Sequence, residues 1–181
     1  MKKTILFIAL VAATGSIFAQ KKTTTSGTIN FDATTSKDAL PKAENKTAIA
    51  AIDTKKGTIA FEAIVKNFAF TNPKMQEHFN GATWMDSEKF PTATFKGNIT
   101  NLAAVDFKKD GTYNAEVAGD LTIHGVTKPV KTTGKIIVAG KAVSTSAEFS
   151  IKLEDYGVNG PAIAAGKVST EPKISISAGL Q

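Results

Sequence analysis

Val143-Ser144-Thr145-Ser146-Ala147-Glu148-Phe149-Ser150-Ile151-Lys152-Leu153 is the stretch on which the fold turns, because its residues alternate in kind with a period of two. Its odd positions are Val143, Thr145, Ala147, Phe149, Ile151 and Leu153; its even positions are Ser144, Ser146, Glu148, Ser150 and Lys152. An extended chain sends successive side chains to opposite faces, so this segment is a strand with one apolar and one wet side. Tyr113 to Ile123 repeats the pattern, with Tyr113, Ala115, Val117, Gly119, Leu121 and Ile123 against Asn114, Glu116, Ala118, Asp120 and Thr122.

Outward from these two, the same reading gives eight strands: Gly27–Phe31, Asn45–Asp53, Thr58–Phe70, Thr92–Asn101, Thr112–Ile123, Val126–Val138, Val143–Glu154 and Pro172–Ala178. No long helical periodicity competes, so the class is all-β. Eleven residues at about 3.3 Å each make a strand of roughly 36 Å, about twice the usual length. Such strands suit a tall, closed antiparallel barrel better than a sandwich. The second strand is apolar on both faces from Ala48 to Ile52, and in the third the register shifts between Val65 and Phe68, which predicts a bulge.

The connections sort by length. If neighbouring strands run up and down in order, the short links Asp53–Gly57, Asp106–Gly111 and Ala139–Ala142 share one end. The long links Asp32–Glu44, Thr71–Pro91 and Asp155–Glu171 share the other with the tight His124-Gly125 turn, and mark it as the mouth. The link between strands three and four holds a short helix from Pro73 to Asn80, capped by Asn72 and stopped by Gly81. On it Met75, His78 and Phe79 share a face, leaving Lys74, Gln76 and Glu77 to water. Trp84, Met85 and Phe90 follow, too many large apolar groups for a merely solvated loop.

The ends and the composition bound the setting. Lys2 and Lys3 precede an apolar run from Ile5 to Ala13, then Thr14, Gly15 and Ser16, the layout of a secretory signal peptide. Residues 1–19 are expected to be removed after Ala19, leaving residues 20–181 as one domain in the periplasm, or secreted where there is no outer membrane. With no cysteine, the chain has neither a lipid-bearing cysteine nor a disulfide. The formal charge of +6 includes Lys2 and Lys3 and is spread evenly, and every basic residue is lysine. Nucleic-acid readers cluster their basic residues and use arginine for bidentate contacts, so no nucleic acid is expected as partner.

Three blocks resemble the YceI-like polyisoprenoid-binding family. They are Met75-Gln76-Glu77-His78-Phe79-Asn80 with Met85-Asp86-Ser87-Glu88-Lys89-Phe90-Pro91-Thr92-Ala93-Thr94-Phe95-Lys96-Gly97; Gly119-Asp120-Leu121-Thr122-Ile123-His124-Gly125-Val126-Thr127-Lys128-Pro129-Val130; and Asp155-Tyr156-Gly157-Val158. The likeness runs from Gly27 to the end, in the family's order and spacing, although the Lys- and Ala-rich link Asp32–Glu44 fits no motif. It implies an extended lipocalin-like barrel binding the tail of an isoprenoid lipid of quinone or polyprenyl phosphate type. It implies no catalytic residue and no cofactor.

Eight strands make a barrel just wide enough to fill itself or to hold one small ligand. The inward faces carry Ala63, Ala93, Gly97, Ala115, Gly119, Ala147 and Ala178 among Ile59, Phe61, Phe95, Val117, Ile123, Phe149 and Ile151. Small residues where a solid core needs Leu or Phe predict an oily tunnel with room to spare. Its expected ligand-binding residues are Ile59, Phe61, Phe95, Val117, Ile123, Phe149 and Ile151, with Phe79, Trp84 and Tyr156 at a mouth that touches membranes transiently. The alternative is a filled barrel acting as a structural or stress-related interaction protein with an apolar docking mouth.

The two histidines, His78 and His124, fall at the mouth and admit three readings: contact with a lipid headgroup, hydrogen bonding to nearby backbone, or a metal site with Asp86 or Glu88. A metal needs three or four ligands and the spacing fits no metal motif, so none is expected. Asp86 and Glu88 do not face each other at this spacing and no serine sits in a Gly-x-Ser-x-Gly elbow, so the chain reads as a binding protein and not an enzyme.

Overall fold

The computed structural model describes residues 20–181, and the signal-peptide reading of 1–19 lies outside the described residues. The alternating segments become long antiparallel strands: β1 (Lys21–Asp32), β2 (Lys42–Asp53), β3 (Thr58–Ile64), β4 (Ala69–Phe70), β5 (Thr92–Ile99), β6 (Gly111–Ile123), β7 (Val126–Ala139), β8 (Ala142–Ser150) and β9 (Lys173–Leu180). The sheet runs β1-β9-β8-β7-β6-β5-β3-β2, and β1 also pairs with β2, which closes it. β4 is the outer end of the third strand and pairs with β2 at Ala43 and Glu44. The architecture is therefore the expected eight-stranded up-and-down barrel.

The β6–β7 hairpin shows how local sequence sets register. His124 and Gly125 both have positive φ, +52° and +74°, the backbone a two-residue turn needs to match the strand twist. The ladder from Ile123↔Val126 to Gly111↔Val138 then runs without a break.

Four expectations need correction. The third strand does not run through from Thr58 to Phe70: a single 3-10 turn, Val65–Asn67, interrupts it where the register was expected to shift. The buried Asn45 spans this break, its amide donating to the Ile64 carbonyl at 3.0 Å while its Oδ1 accepts from the Thr47 N–H at 2.8 Å. The seventh strand stops at Ser150, not Glu154, and Leu153–Tyr156 form a 3-10 turn. Ile151 and Leu153 stay buried, so the alternation outlasts the strand that explains it. β1 begins at Lys21, not Gly27, because Lys21–Thr24 pairs with β2 through its backbone without an apolar face to show in sequence. The β5–β6 link is longer than Asp106–Gly111 and contains a 3-10 turn at Leu102–Ala104.

The three links expected to be long share one end, but the β5–β6 link, residues 100–110, adds a long one at the other. α1 (Pro73–Asn80) is the expected helix, with the Asn72 side chain accepting from the Lys74 N–H at 2.9 Å. Its faces differ from the expectation, for His78 is exposed while Gln76 is half-buried and accepts from the Phe70 N–H at 3.1 Å. A second short helix, α2 (Pro161–Ala164), lies in the last link. Two apolar clusters form the core, one at the mouth around Phe31, Phe79, Leu121 and Tyr156, the other at the opposite end around Ile52, Ile136, Val143 and Leu180.

Candidate functional site

Between the two clusters the interior is not closed. A narrow slot of about 150 Å³ extends from Phe79 and Met85 at the mouth to Ile136 and Thr145 in the lower half, with an almost wholly apolar wall. Strand alternation puts its lining there: Val117, Phe149 and Ile176 point inward yet stay half-buried, the exposure they keep being to the slot.

Of the residues expected from sequence, Ile59, Phe61, Phe79, Phe95, Val117, Ile123, Phe149 and Ile151 all line the slot. Trp84, Tyr156, His78 and His124 do not. Trp84 packs against the mouth cluster beside Gly160. Tyr156 is buried there, and burial, seconded by the charge of Asp155, pushes its phenol above the usual range. His124 sets Nδ1 3.1 Å from the Tyr156 carbonyl and its ring edge-on to Phe90 at 4.7 Å. Its contacts are those of a residue joining the β6–β7 turn to the last long link.

Sequence reasoning missed Ile29, Phe31, Leu121, Ile174 and Ile176, which complete the wall from β1, β6 and β9. Period two along those strands marks them: Ile174 and Ile176 stand two apart, as do Ile29 and Phe31. Val65, Phe68 and Met85 also reach the slot, from the interrupted strand and the α1 link, where no periodicity points to them.

The slot is tighter than the small residues promised. Ala63, Ala93, Ala115 and Ala147 line it, but Gly97, Gly119 and Ala178 do not. The space the two glycines leave is already taken, since a methyl group on Gly97 or Gly119 would fall 2.6 or 2.8 Å from Cζ of Phe95. Ala178 packs into the lower cluster. A cavity of this size with an apolar wall suits a group about as large as benzene. A longer chain must displace side chains to enter.

Among the described residues, no group of three or more His, Asp or Glu is placed to hold a metal ion. The wall of the slot carries neither Asp nor Glu, and what it offers a guest is apolar burial.

The chain matches the YceI-like domain over residues 10–180. Protein YceI of Escherichia coli is 36% identical over 95 residues, 48% of this chain and 46% of that protein, so the aligned stretch spans less than half of that relative's length. A solved polyisoprenoid binding domain from Saccharophagus degradans superposes with a TM-score of 0.75 at 13% identity, covering 90% of this chain and 98% of that one. BcnA of Burkholderia cenocepacia gives 0.69 at 18%, covering 86% and 96%. At such identities these two likenesses establish a shared fold.

Proposed function

The chain belongs to the YceI-like domain family, and from that premise we propose that it is an exported binding protein holding an isoprenoid or other long-chain amphiphilic lipid, of quinone or polyprenyl phosphate type, inside the barrel. It transports, stores or sequesters this lipid and performs no chemistry on it. The observation that carries the reading is the apolar slot running from the mouth past Phe95 to Ile136. The solved relative described as polyisoprenoid binding supports the choice of ligand class. A cleaved signal peptide at residues 1–19 places the protein in the periplasm, and the lipid enters during transient contact between the mouth and a membrane.

Magnitudes set the kind of binding. At about 0.8 kcal/mol per buried CH₂-sized group, a tail of some 40 carbons nominally gains about 30 kcal/mol, beyond the ceiling near 18 to 21 kcal/mol for non-covalent binding. Ordering the tail and moving side chains out of a 150 Å³ slot reduce the sum. Affinity then grows with tail length and depends little on the headgroup.

The test is to purify the protein from its exporting host, extract it with organic solvent and weigh the extract by mass spectrometry, then offer stripped protein a series of prenyl alcohols. Co-purified or acquired prenyl lipid supports the reading. A sample that neither carries nor takes up such compounds overturns it in favour of the filled-barrel interaction protein.

A further inference from the structure

Phe95 lies halfway along the slot and packs against both apolar clusters. It pairs with Phe61 on one side and Leu121 on the other, while two residues on, Gly97 pairs with Gly119. The Phe95 ring lies along the wall over that glycine pair, its Cζ 2.6 Å from where a Gly97 methyl would stand and 2.8 Å from a Gly119 methyl. Any other residue at either position fills the recess. Displaced from it, the ring turns into the slot, because Ile59 and Leu121 occupy the wall beside the recess.

From this geometry we infer that Phe95 is the residue that sets how long an apolar tail the barrel accepts, and that Gly97 and Gly119 act by holding its ring against the wall. Seated in the recess, the ring leaves the upper slot continuous with the lower part lined by Ala115, Ile136 and Thr145. Swung inward, it divides the slot and leaves a short upper chamber beneath Phe79 and Met85. The inference rests on the proposed lipid-binding function and names the length selector of that same site.

An added methyl at Gly97 also meets the Ala118 carbonyl, and one at Gly119 the Lys96 carbonyl, so a glycine substitution strains the barrel as well as moving the ring. The cleaner variant is Phe95→Trp, whose larger ring exceeds the recess while both glycines stay as they are. Phe95→Ala makes the opposite change by emptying the recess. Geraniol, farnesol, geranylgeraniol and solanesol are titrated against the full chain, the two Phe95 variants, Gly119→Ala and the double variant Phe95→Ala with Gly119→Ala.

Native protein gains affinity along this series. Gly119→Ala keeps geraniol binding, and in both Gly119→Ala and Phe95→Trp the gain from geraniol to the longer prenols is lost, by on the order of tenfold or more, since each isoprene unit shut out forfeits several buried CH₂-sized groups. Phe95→Ala holds the longer prenols at least as tightly as native protein, and the double variant recovers them because no ring remains to be displaced. Should Gly119→Ala fail to fold, the opposed outcomes of the two Phe95 variants decide. A length profile unchanged in Phe95→Trp and Phe95→Ala overturns the inference while leaving the lipid-binding function standing. Native protein that takes up no prenol removes both.

Discussion

The rings of Phe70 and Phe79 lie 5.0 Å apart, centroid to centroid, tilted by 51°. This contact joins the outer end of the third strand to α1, and Phe68 and Phe31 add two more rings at 5.8 and 5.9 Å from Phe79. Phe79 is thus a clamp that fastens the helix over the slot. Truncation by Phe79→Ala costs about 3 to 5 kcal/mol of stability, as for other buried aromatic side chains. It also speeds lipid exchange, because the slot loses its cover. Urea unfolding and stopped-flow displacement measure the two effects, and a stable variant with native exchange rates contradicts the clamp.

Asn45 is buried where two strands change register at once. Asn45→Asp keeps an acceptor for the Thr47 N–H but loses the donor to the Ile64 carbonyl and sets a charge against it. A buried group left unpaired costs about 1 to 3 kcal/mol, more for a charge. The expected result is a lower denaturation midpoint at unchanged slope. An aspartate tolerated at neutral pH shows that the bond across the break does not hold the third strand in register.

The Asp53 carboxylate accepts from the Lys56 N–H at 2.9 Å and the Lys55 N–H at 3.0 Å, closing the β2–β3 turn. These bonds, that from Lys56 foremost, hold its pKa below the ordinary 3.8. The sign follows: a carboxylate with a depressed folded pKa contributes stability in full above its unfolded value and loses it as pH falls through the folded one. Asp53→Ala is therefore less stable than native protein at neutral pH, and the gap closes only below pH 3.8. Unfolding curves of both proteins across the acid range check this, and a gap persisting into strong acid speaks against it.

At His124 the backbone φ of +52° disfavours a β-branched residue. His124→Val costs about 1 to 3 kcal/mol through strain, whereas His124→Asn keeps the turn and loses only the contacts to Tyr156 and Phe90. If the ring serves the turn and not the lipid headgroup, prenol affinity is the same in His124→Asn as in native protein. A large loss of affinity at unchanged stability assigns His124 to the headgroup instead.

Much of the barrel was legible because period two is a strong signal wherever one face is buried. Val143 to Ser150 and Tyr113 to Ile123 each state their inward set without ambiguity, and eight of the ten expected ligand-binding residues line the slot. What escaped has physical reasons. Lys21 to Thr24 is a strand held by main-chain bonds, to which side-chain pattern is blind. Ile151 and Leu153 keep the pattern of a strand after the backbone has turned, because both still face the core. The width of the slot was misjudged because Gly97 and Gly119 read as empty space, when a neighbour's ring fills it.

Adjacent isoleucines on opposite faces of β7 offer the most direct test of the account. Ile136 is 2% exposed and lines the slot, while Ile137 is 46% exposed on the outer surface. With isoleucine methyls labelled and unlabelled geranylgeraniol added, nuclear Overhauser contacts from the prenyl chain are expected at Ile136, Ile59 and Ile176 and absent at Ile137, Ile49 and Ile64. Contacts confined to the outer set, or none at all with saturating prenol, contradict a lipid held within the barrel.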